Sequence, residues 1–420
     1  MKPESRTLLH VTVFVCIITL LIMTACGIGK TGSGAGTDIN SQTESALAND
    51  TAPQTDSGNS GTRHITILAT SDMHANVMSF SYEDNAETEK DGMARLYTYI
   101  KQRRQEDPDL ILVDAGDDIQ GTIMSDDVCN KTPDEPHPVM AAMNFMKYDA
   151  MTVGNHEFDW GVPTLLKILK QAEFPVLSAN ITIPDGNYLT GSGWTIIDRG
   201  GVKLAVIGVC TLDIPIWDTG KEGIDDLTYE SASAGVANAI KEIGDQADLI
   251  MVCAHMGMYA EFDEEGGSDS ARKILEDNPE VDILQVAHMH ITVNEKVGDV
   301  PVGGVRNAGA EICKYEITLD ADGNVADSSV EIVPMEGREP SEEIRELPAV
   351  KAAHEKTLNF ISKGSPDDDS SATHPLGTTT AKFQPENEIS GLPEGKLRDT
   401  ALIDLINKIQ MEAAHADVSA

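Results

Sequence analysis

The sequence predicts an α/β (α+β) protein built as a four-layer αββα sandwich. Three observations carry this. From His64 onward, short β-type apolar runs alternate with segments of helical periodicity; after His290, strands follow one another without helices; and Asp, His and Asn residues recur just past the ends of five strand runs. Alternation followed by a β-rich end is the pattern of two packed sheets with helices outside.

Strands are expected at 64–69, 110–113, 150–153, 176–178, 203–209, 249–252 and 283–286, and then at 294–297, 300–302, 314–319 and 329–333. Helices are expected at 93–105, where Met93, Leu96, Tyr97 and Ile100 share a face, and at 138–146, 162–172, 232–243 and 341–362. A last amphipathic helix is expected at 396–414, with Leu397, Ala401, Leu405 and Ile409 along one side. Residues 364–369 form a polar break, and Asp367, Asp368 and Asp369 within it read as a solvated loop.

The 420 residues are 40% hydrophobic, enough for a substantial core, and carry a formal net charge of −38. That charge argues against nonspecific binding to nucleic-acid polymers, which depends on basic patches. It does not exclude small phosphate substrates, because bound divalent cations reverse the local field. Lys2 and Arg6 precede an apolar run from Leu8 to Met23 that stops at Thr24-Ala25-Cys26-Gly27. The segment resembles a bacterial lipoprotein signal, with Met23 where Leu is usual and Cys26 as the lipid-modified residue. An uncleaved membrane anchor is the alternative, and both place the domain outside the cytoplasmic membrane. Residues 27–63, rich in Gly, Ser, Thr, Asp and Asn, read as a flexible tether. Gly29-Lys30-Thr31 lacks the remaining P-loop positions. Cys129, Cys210, Cys253 and Cys313 contain no C-x-x-C pair, so no zinc ribbon or redox motif is indicated. Cys210 and Cys253 read as buried thiols.

The residues after the five strand runs are Asp72 and His74, Asp117, Asn155, His255, and His288 with His290. Polar side chains at the carboxyl ends of strands in an open α/β sheet face a common crevice. On an extended segment, residues i and i+2 point the same way, so Asp72 with His74, and His288 with His290, are each expected to reach one ion. One carboxylate at Asp117, beyond the turn at Gly116, could bridge two ions. This mix of oxygen and nitrogen donors suits two divalent metal ions drawn from Mn, Zn, Fe or Ca. His156 adjoins Asn155 and suits proton donation to a leaving oxygen or charge stabilisation, with Asp159 three residues on to orient its ring. Met256, Met258 and Met289 lie between these residues and are expected to pack beneath them. His10, His64, His137, His354, His374 and His415 fall outside the pattern and receive no role.

At these residues the chain resembles the calcineurin-like metallophosphoesterases, whose pattern is D-x-H, G-D, G-N-H-[ED], H and G-H-x-H. Within them it resembles the bacterial 5′-nucleotidase group, and most of all its 2′,3′-cyclic-nucleotide 2′-phosphodiesterase/3′-nucleotidase branch. The stretches that carry the likeness are I-T-I-L-A-T-S-D-M-H-A-N-V-M-S-F-S-Y, T-E-K-D-G-M-A-R, G-D-D-I-Q-G-T and T-A-L-I-D-L-I-N with the terminal A-D-V-S-A. The resemblance implies one metal on Asp72, His74, Asp117 and His290, a second on Asp117, Asn155, His255 and His288, and a catalytic pair in His156 and Asp159. It implies hydrolysis of small nucleotide substrates, with a 5′-nucleotidase or nucleotide-sugar hydrolase as the near alternative. A non-catalytic ligand-binding lipoprotein or a truncated product is the alternative of another class. Ala287 stands where the family has Gly. The implied organisation is a lipoprotein signal at 1–26, a linker at 27–63, a catalytic domain at 64–340, an inter-domain helix and linker at 341–395, and the first helix of a truncated nucleotide-reading domain at 396–420.

Overall fold

The computed structural model describes residues 61–259 and 270–363, together with a short antiparallel pair at Glu388–Ile389 and Leu392–Pro393 and helical residues Asn407, Lys408 and Met411. The expected signal at 1–26, Cys26, nearly all of the tether, the acidic break at 367–369 and most of the helix at 396–414 lie outside the described residues. The fold is that of the unit spanning 57–373.

Twelve strands form its two large sheets: β1 (Arg63–Thr70), β2 (Ile111–Asp114), β3 (Ala150–Thr152), β4 (Val176–Leu177), β5 (Trp194–Arg199), β6 (Val202–Cys210), β7 (Leu249–His255), β8 (Ile283–Val286), β9 (Val293–Val297), β10 (Val300–Gly304), β11 (Glu311–Leu319) and β12 (Val325–Pro334). The first sheet has the order β12-β11-β1-β2-β3-β4 and the second the order β9-β10-β8-β7-β6-β5. The run β1-β2-β3-β4 is parallel, with Ile67 opposite Ile111 and Ala69 opposite Val113. The run β6-β7-β8-β10 is also parallel, with Met251 opposite Ile283. The antiparallel strands β11, β12, β9 and β5 complete the edges.

Side chains alternate between faces along a strand, and here that alternation sorts them into three apolar layers. Ile65, Ile67 and Ala69 of β1 meet Leu204, Val206, Met251 and Cys253 between the sheets. Leu68, Leu112 and Met151 face the other way, onto α1 (Met93–Glu106), α2 (Pro138–Met146) and α3 (Val162–Leu169). On the far side, Ala205, Ile207, Val252 and Leu284 lie under α4 (Ala232–Ile243) and α5 (Ala271–Asp277). The four-layer sandwich follows directly.

Several boundaries differ from the sequence expectation. The helix expected at 341–362 is two helices, Glu342–Arg345 and α6 (Pro348–Lys363), because Pro348 has no N–H to continue a helix yet suits the first turn of a new one. Ile344, Val350 and Ala353 are buried in the same apolar layer as α1 and α2, so the core continues past the expected boundary at 340. The edge strand β5 and helix α5 were not expected; the first is half-exposed and lacks clean alternation, and the second has only seven residues. His64, His137 and His354 have structural partners in Glu316, Asn130 and Tyr82. Cys129, Cys210, Cys253 and Cys313 are free thiols, and the last three are buried. No helix among the described residues is long and apolar enough to cross a membrane.

A buried polar contact also links the two sheets. Tyr315 of β11 is fully buried, and its hydroxyl lies 3.0 Å from the Leu284 carbonyl and 2.9 Å from Gln285 Oε1, both on β8. Gly303 makes room for it, since a Cβ there would meet both Tyr315 Oη and Cys313 Sγ. A buried acceptor left without its donor costs about 1–3 kcal/mol. Tyr315→Phe should therefore lower unfolding free energy in urea by about that amount, while Gly303→Ala should lower it through overpacking; an unchanged midpoint for Tyr315→Phe would remove this contact from the account of how the sheets are held.

Candidate metal centre

All seven candidate ligands lie beyond or at the carboxyl ends of β1, β2, β3, β7 and β8, so both sheets contribute. Two groups form. Asp72, His74 and His290 bring one donor atom each to within 4.8 Å of one another, and Asp117, His255 and His288 do the same. Asn155 adds a buried amide oxygen that lacks a hydrogen-bond partner. Asp117 falls in the second group.

The local geometry differs from the extended segments expected from the spacing. Asp72, His74, Asp117, His288 and His290 all have positive φ, between 44° and 70°. Left-handed backbone is costly for residues with a Cβ and persists only where the surroundings hold it. They do so here through backbone pairing of two loops: Asp72 N–H donates to Gly116 O at 2.7 Å, His74 N–H to Asp117 O at 2.9 Å, and Ala75 N–H to Asp118 O at 2.8 Å. His288 and His290 enter different groups; their i, i+2 spacing alone suggested one ion, whereas the family resemblance assigned them to different ions. His255 is itself the last residue of β7, and Asn155 precedes a 3-10 turn at His156–Phe158.

Glu157 holds this framework, and the sequence reading gave it no role. Its buried carboxylate accepts four backbone N–H groups: Asp117 at 2.9 Å, Asp118 at 2.6 Å, Ile119 at 3.2 Å and Gly154 at 2.6 Å. Gly154 is required at that point, since a Cβ there would run into Asp117 Oδ1. The signal was present as the acid of the G-N-H-[ED] pattern. Beneath the loop, burial and then the facing Asp114 carboxylate push the Asp118 carboxyl well above its usual range.

The donor atoms fit cations. His255 Nδ1 lies 2.7 Å from the Ala115 carbonyl and so carries a proton, while Nε2 points at Asp117 Oδ2 at 3.0 Å without hydrogen-bond geometry. His74 repeats the arrangement: Nδ1 is 3.2 Å from the Gln120 carbonyl and Nε2 is 2.9 Å from His290 Nε2. Carbonyls that fix the tautomer of a histidine and aim its other nitrogen inward are the usual support of metal-binding imidazoles. Burial lowers the His74 pKa to about 4, which keeps that ring in its neutral, ligating form. Electron-rich atoms buried face to face need a positive charge between them.

His156 and Asp159 lie beside these groups. Asp159 Oδ2 is 2.9 Å from His156 Nδ1, and Asp159 Oδ1 is 3.3 Å from Lys221 Nζ, which also pairs with the buried Asp218. Burial works against a charged His156, but Asp117 and the Asp159 hydrogen bond outweigh it and raise its pKa to about 10. Its ring meets that of His74 edge-on with centroids 5.4 Å apart. Lys221 and Asp218 were not anticipated, because no local motif ties the 218–221 turn to the 155–159 turn.

Burial likewise disfavours a charged His255, yet Asp117 raises its pKa to about 9, so at pH 7 the ion-free site holds a proton there. A cation must displace it. Metal uptake at pH 7 is expected to release about one proton and to strengthen as pH rises toward 9; calorimetry in buffers of different ionisation enthalpy reads this, and buffer-independent heats would contradict it. Glu157→Gln turns an acceptor oxygen into a donor facing N–H groups, so it should weaken Mn²⁺ uptake and lower the melting temperature together.

Residues 65–292 match the calcineurin-like phosphoesterase family. Among curated proteins, the chain is 30% identical over 338 residues to the trifunctional nucleotide phosphoesterase protein YfkN of Bacillus subtilis, covering 71% of this chain and 23% of that protein. It is 33% identical over 270 residues to the 2′,3′-cyclic-nucleotide 2′-phosphodiesterase/3′-nucleotidase of Yersinia enterocolitica, covering 60% of this chain and 40% of that one. The chain thus spans less than half the length of these two relatives. Among solved structures, the calcineurin-like phosphoesterase YfkN from Bacillus subtilis superposes with a TM-score of 0.66 at 26% identity, covering 72% of this chain and 100% of that one. With the pattern matched across more than half of its length and the fold shared, this chain belongs to the calcineurin-like phosphoesterase family.

Proposed function

We propose that the protein is an extracytoplasmic, dinuclear-metal phosphoesterase that hydrolyses nucleotides, in particular 2′,3′-cyclic nucleotides and 3′-nucleotides, to nucleoside and phosphate. The observation that carries it is the pair of adjoining donor groups, Asp72–His74–His290 and Asp117–His255–His288, with the His156–Asp159 pair at their side. The family match and the nucleotide phosphoesterases among the relatives support the substrate class. The likeness to snake venom 5′-nucleotidase from Crotalus adamanteus, at 39% identity over 292 residues, supports 5′-nucleotidase activity as the second reading. The N-terminal apolar run ending at Cys26 supports attachment to the membrane as a lipoprotein.

The seven ligands, Asn155 included, would hold two divalent ions, which when bound would supply positive charge to polarise a phosphoester. This chain's own contribution is positional. The loops around Asp72, Asp117 and His288 set the donor atoms before substrate arrives. Asp159 receives the Nδ1 proton of His156, which leaves Nε2 to carry a proton to the departing ester oxygen. Lys221 and Asp218 hold the other Asp159 oxygen and so fix the angle of the imidazole.

The decisive assay is hydrolysis of 2′,3′-cyclic AMP, 3′-AMP, 5′-AMP and p-nitrophenyl phosphate with added Mn²⁺ or Zn²⁺, and with chelator. Metal-dependent turnover of the cyclic and 3′ substrates is expected; no metal-dependent turnover of any of the four would overturn the proposal. His156→Ala should keep its metal content and lose about 10²–10⁴-fold in kcat, the range of a general acid, and full turnover in that variant would remove its role. Asp159→Asn should give a smaller loss of kcat at unchanged metal content.

A further inference from the structure

Eight large hydrophobic side chains are exposed among the described residues, and five of them (Ile216, Trp217, Tyr259, Met289 and Ile291) lie on the short helix Ile214–Trp217 or in the segments that follow His255 and His288. Met289 and Ile291 each follow a candidate ligand, His288 or His290, and so line the outer side of the same turn. Met289 does not pack beneath the centre as the sequence suggested: it is 38% exposed and lies over Gly257, where the Tyr259 carbonyl also approaches. Exposed apolar side chains thus lie beside a charged, hydrogen-bonding centre. Exposed apolar side chains beside a polar site commonly mark a ligand surface.

Trp217 is the member of this set with a defined geometry. It ends the short helix Ile214–Trp217, and its indole stacks on the His288 ring with centroids 5.4 Å apart and planes 24° from parallel. The residue remains 40% exposed. The next residue, Asp218, is buried and paired with Lys221, which also bonds Asp159, so the segment carrying the indole is tied to the His156–Asp159 pair. Glu222 O accepts the Val162 N–H at 2.9 Å, anchoring the same segment to the start of α3. The ring is therefore held in place before a ligand arrives, which reduces the ordering cost of binding.

We propose that Trp217 seats a flat aromatic group attached to the reacting phosphate, and so makes this domain selective for phosphoesters of nucleosides or aryl alcohols over those of polyols. The inference rests on the phosphoesterase reading above and deepens it. A phosphate engaged by the centre leaves the organic part of its ester beside it, where the indole offers a π face and the neighbouring Met289 and Ile216 offer apolar edges. Stacking on such a face is favourable for any base or aryl ring and gives nothing to a hydroxylated chain.

The test compares kcat/KM for an aromatic ester (3′-AMP or p-nitrophenyl phosphate) with that for glycerol 2-phosphate, in Mn²⁺-loaded full-length protein and its Trp217→Ala and Trp217→Phe variants. The aromatic-to-glycerol ratio should fall about tenfold in Trp217→Ala, about 1.4 kcal/mol, and return most of the way in Trp217→Phe. Equal losses on both esters would mean that the indole only supports His288, and no change in the ratio would mean that it does not meet substrate; both overturn the proposal. Calorimetric binding of 3′-AMP and inorganic phosphate to the same three proteins gives the comparison without turnover. Absent hydrolysis with a Trp217-dependent preference for 3′-AMP would sink the phosphoesterase reading alone, whereas 3′-AMP binding indifferent to Trp217 would sink this inference whatever the turnover.

Discussion

The four backbone N–H groups that converge on the Glu157 carboxylate constrain everything around the candidate centre. They lock the turn after β2 to the turn after β3, and that places Asp117 in a left-handed conformation which its own preferences oppose. The Asp117 carboxylate then accepts the His156 N–H at 2.8 Å and faces His255 from the other sheet. One buried acid thus orients a carboxylate, a catalytic candidate and a cross-sheet contact together. Charge-assisted hydrogen bonds of this kind are the strong ones, and they need the dry surroundings that the sandwich provides.

Assembling the donor set also requires two sheets in fixed relation, because β1, β2 and β3 belong to one and β7 and β8 to the other. Apolar packing alone is tolerant of small slides between layers. The Tyr315 hydroxyl on β8 backbone and Gln285 is a directional contact within that layer, close to the strand that leads to His288. The link from packing to chemistry runs through this strand: a shift of β8 would move His288 and His290 away from Asp117 and Asp72.

The electrostatics of the site separate into charged and neutral members according to what surrounds each group. His74 is kept neutral mainly by burial, while His156 and His255 are drawn toward the charged state by Asp117 despite burial. Burial and then the facing Asp114 carboxylate push the Asp118 carboxyl well above its usual range. A strongly acidic chain can therefore present a centre for an anionic substrate, since divalent cations on these ligands invert the local sign.

Much of this was legible in the sequence. The apolar runs before Asp72, Asp117, Asn155, His255 and His288 identified the strands, and parallel strands must deliver their ends to one edge. The four-layer fold followed from the alternation and its β-rich end. Tertiary structure decided what periodicity cannot encode. The i, i+2 rule holds for extended backbone, and these ligands sit on left-handed turns; Asp72 and His74 still share a group while His288 and His290 separate, a split that spacing does not encode and that only the family resemblance implied. Glu157 reaches residues 117–119 across 38 to 40 residues, Lys221 reaches Asp159 across 62 and Trp217 reaches His288 across 71, and no local pattern announces such contacts. The chain by itself determined which residue types reach the strand ends; only the packing of two sheets and the hydrogen bonds between their loops determined which of those residues face one another.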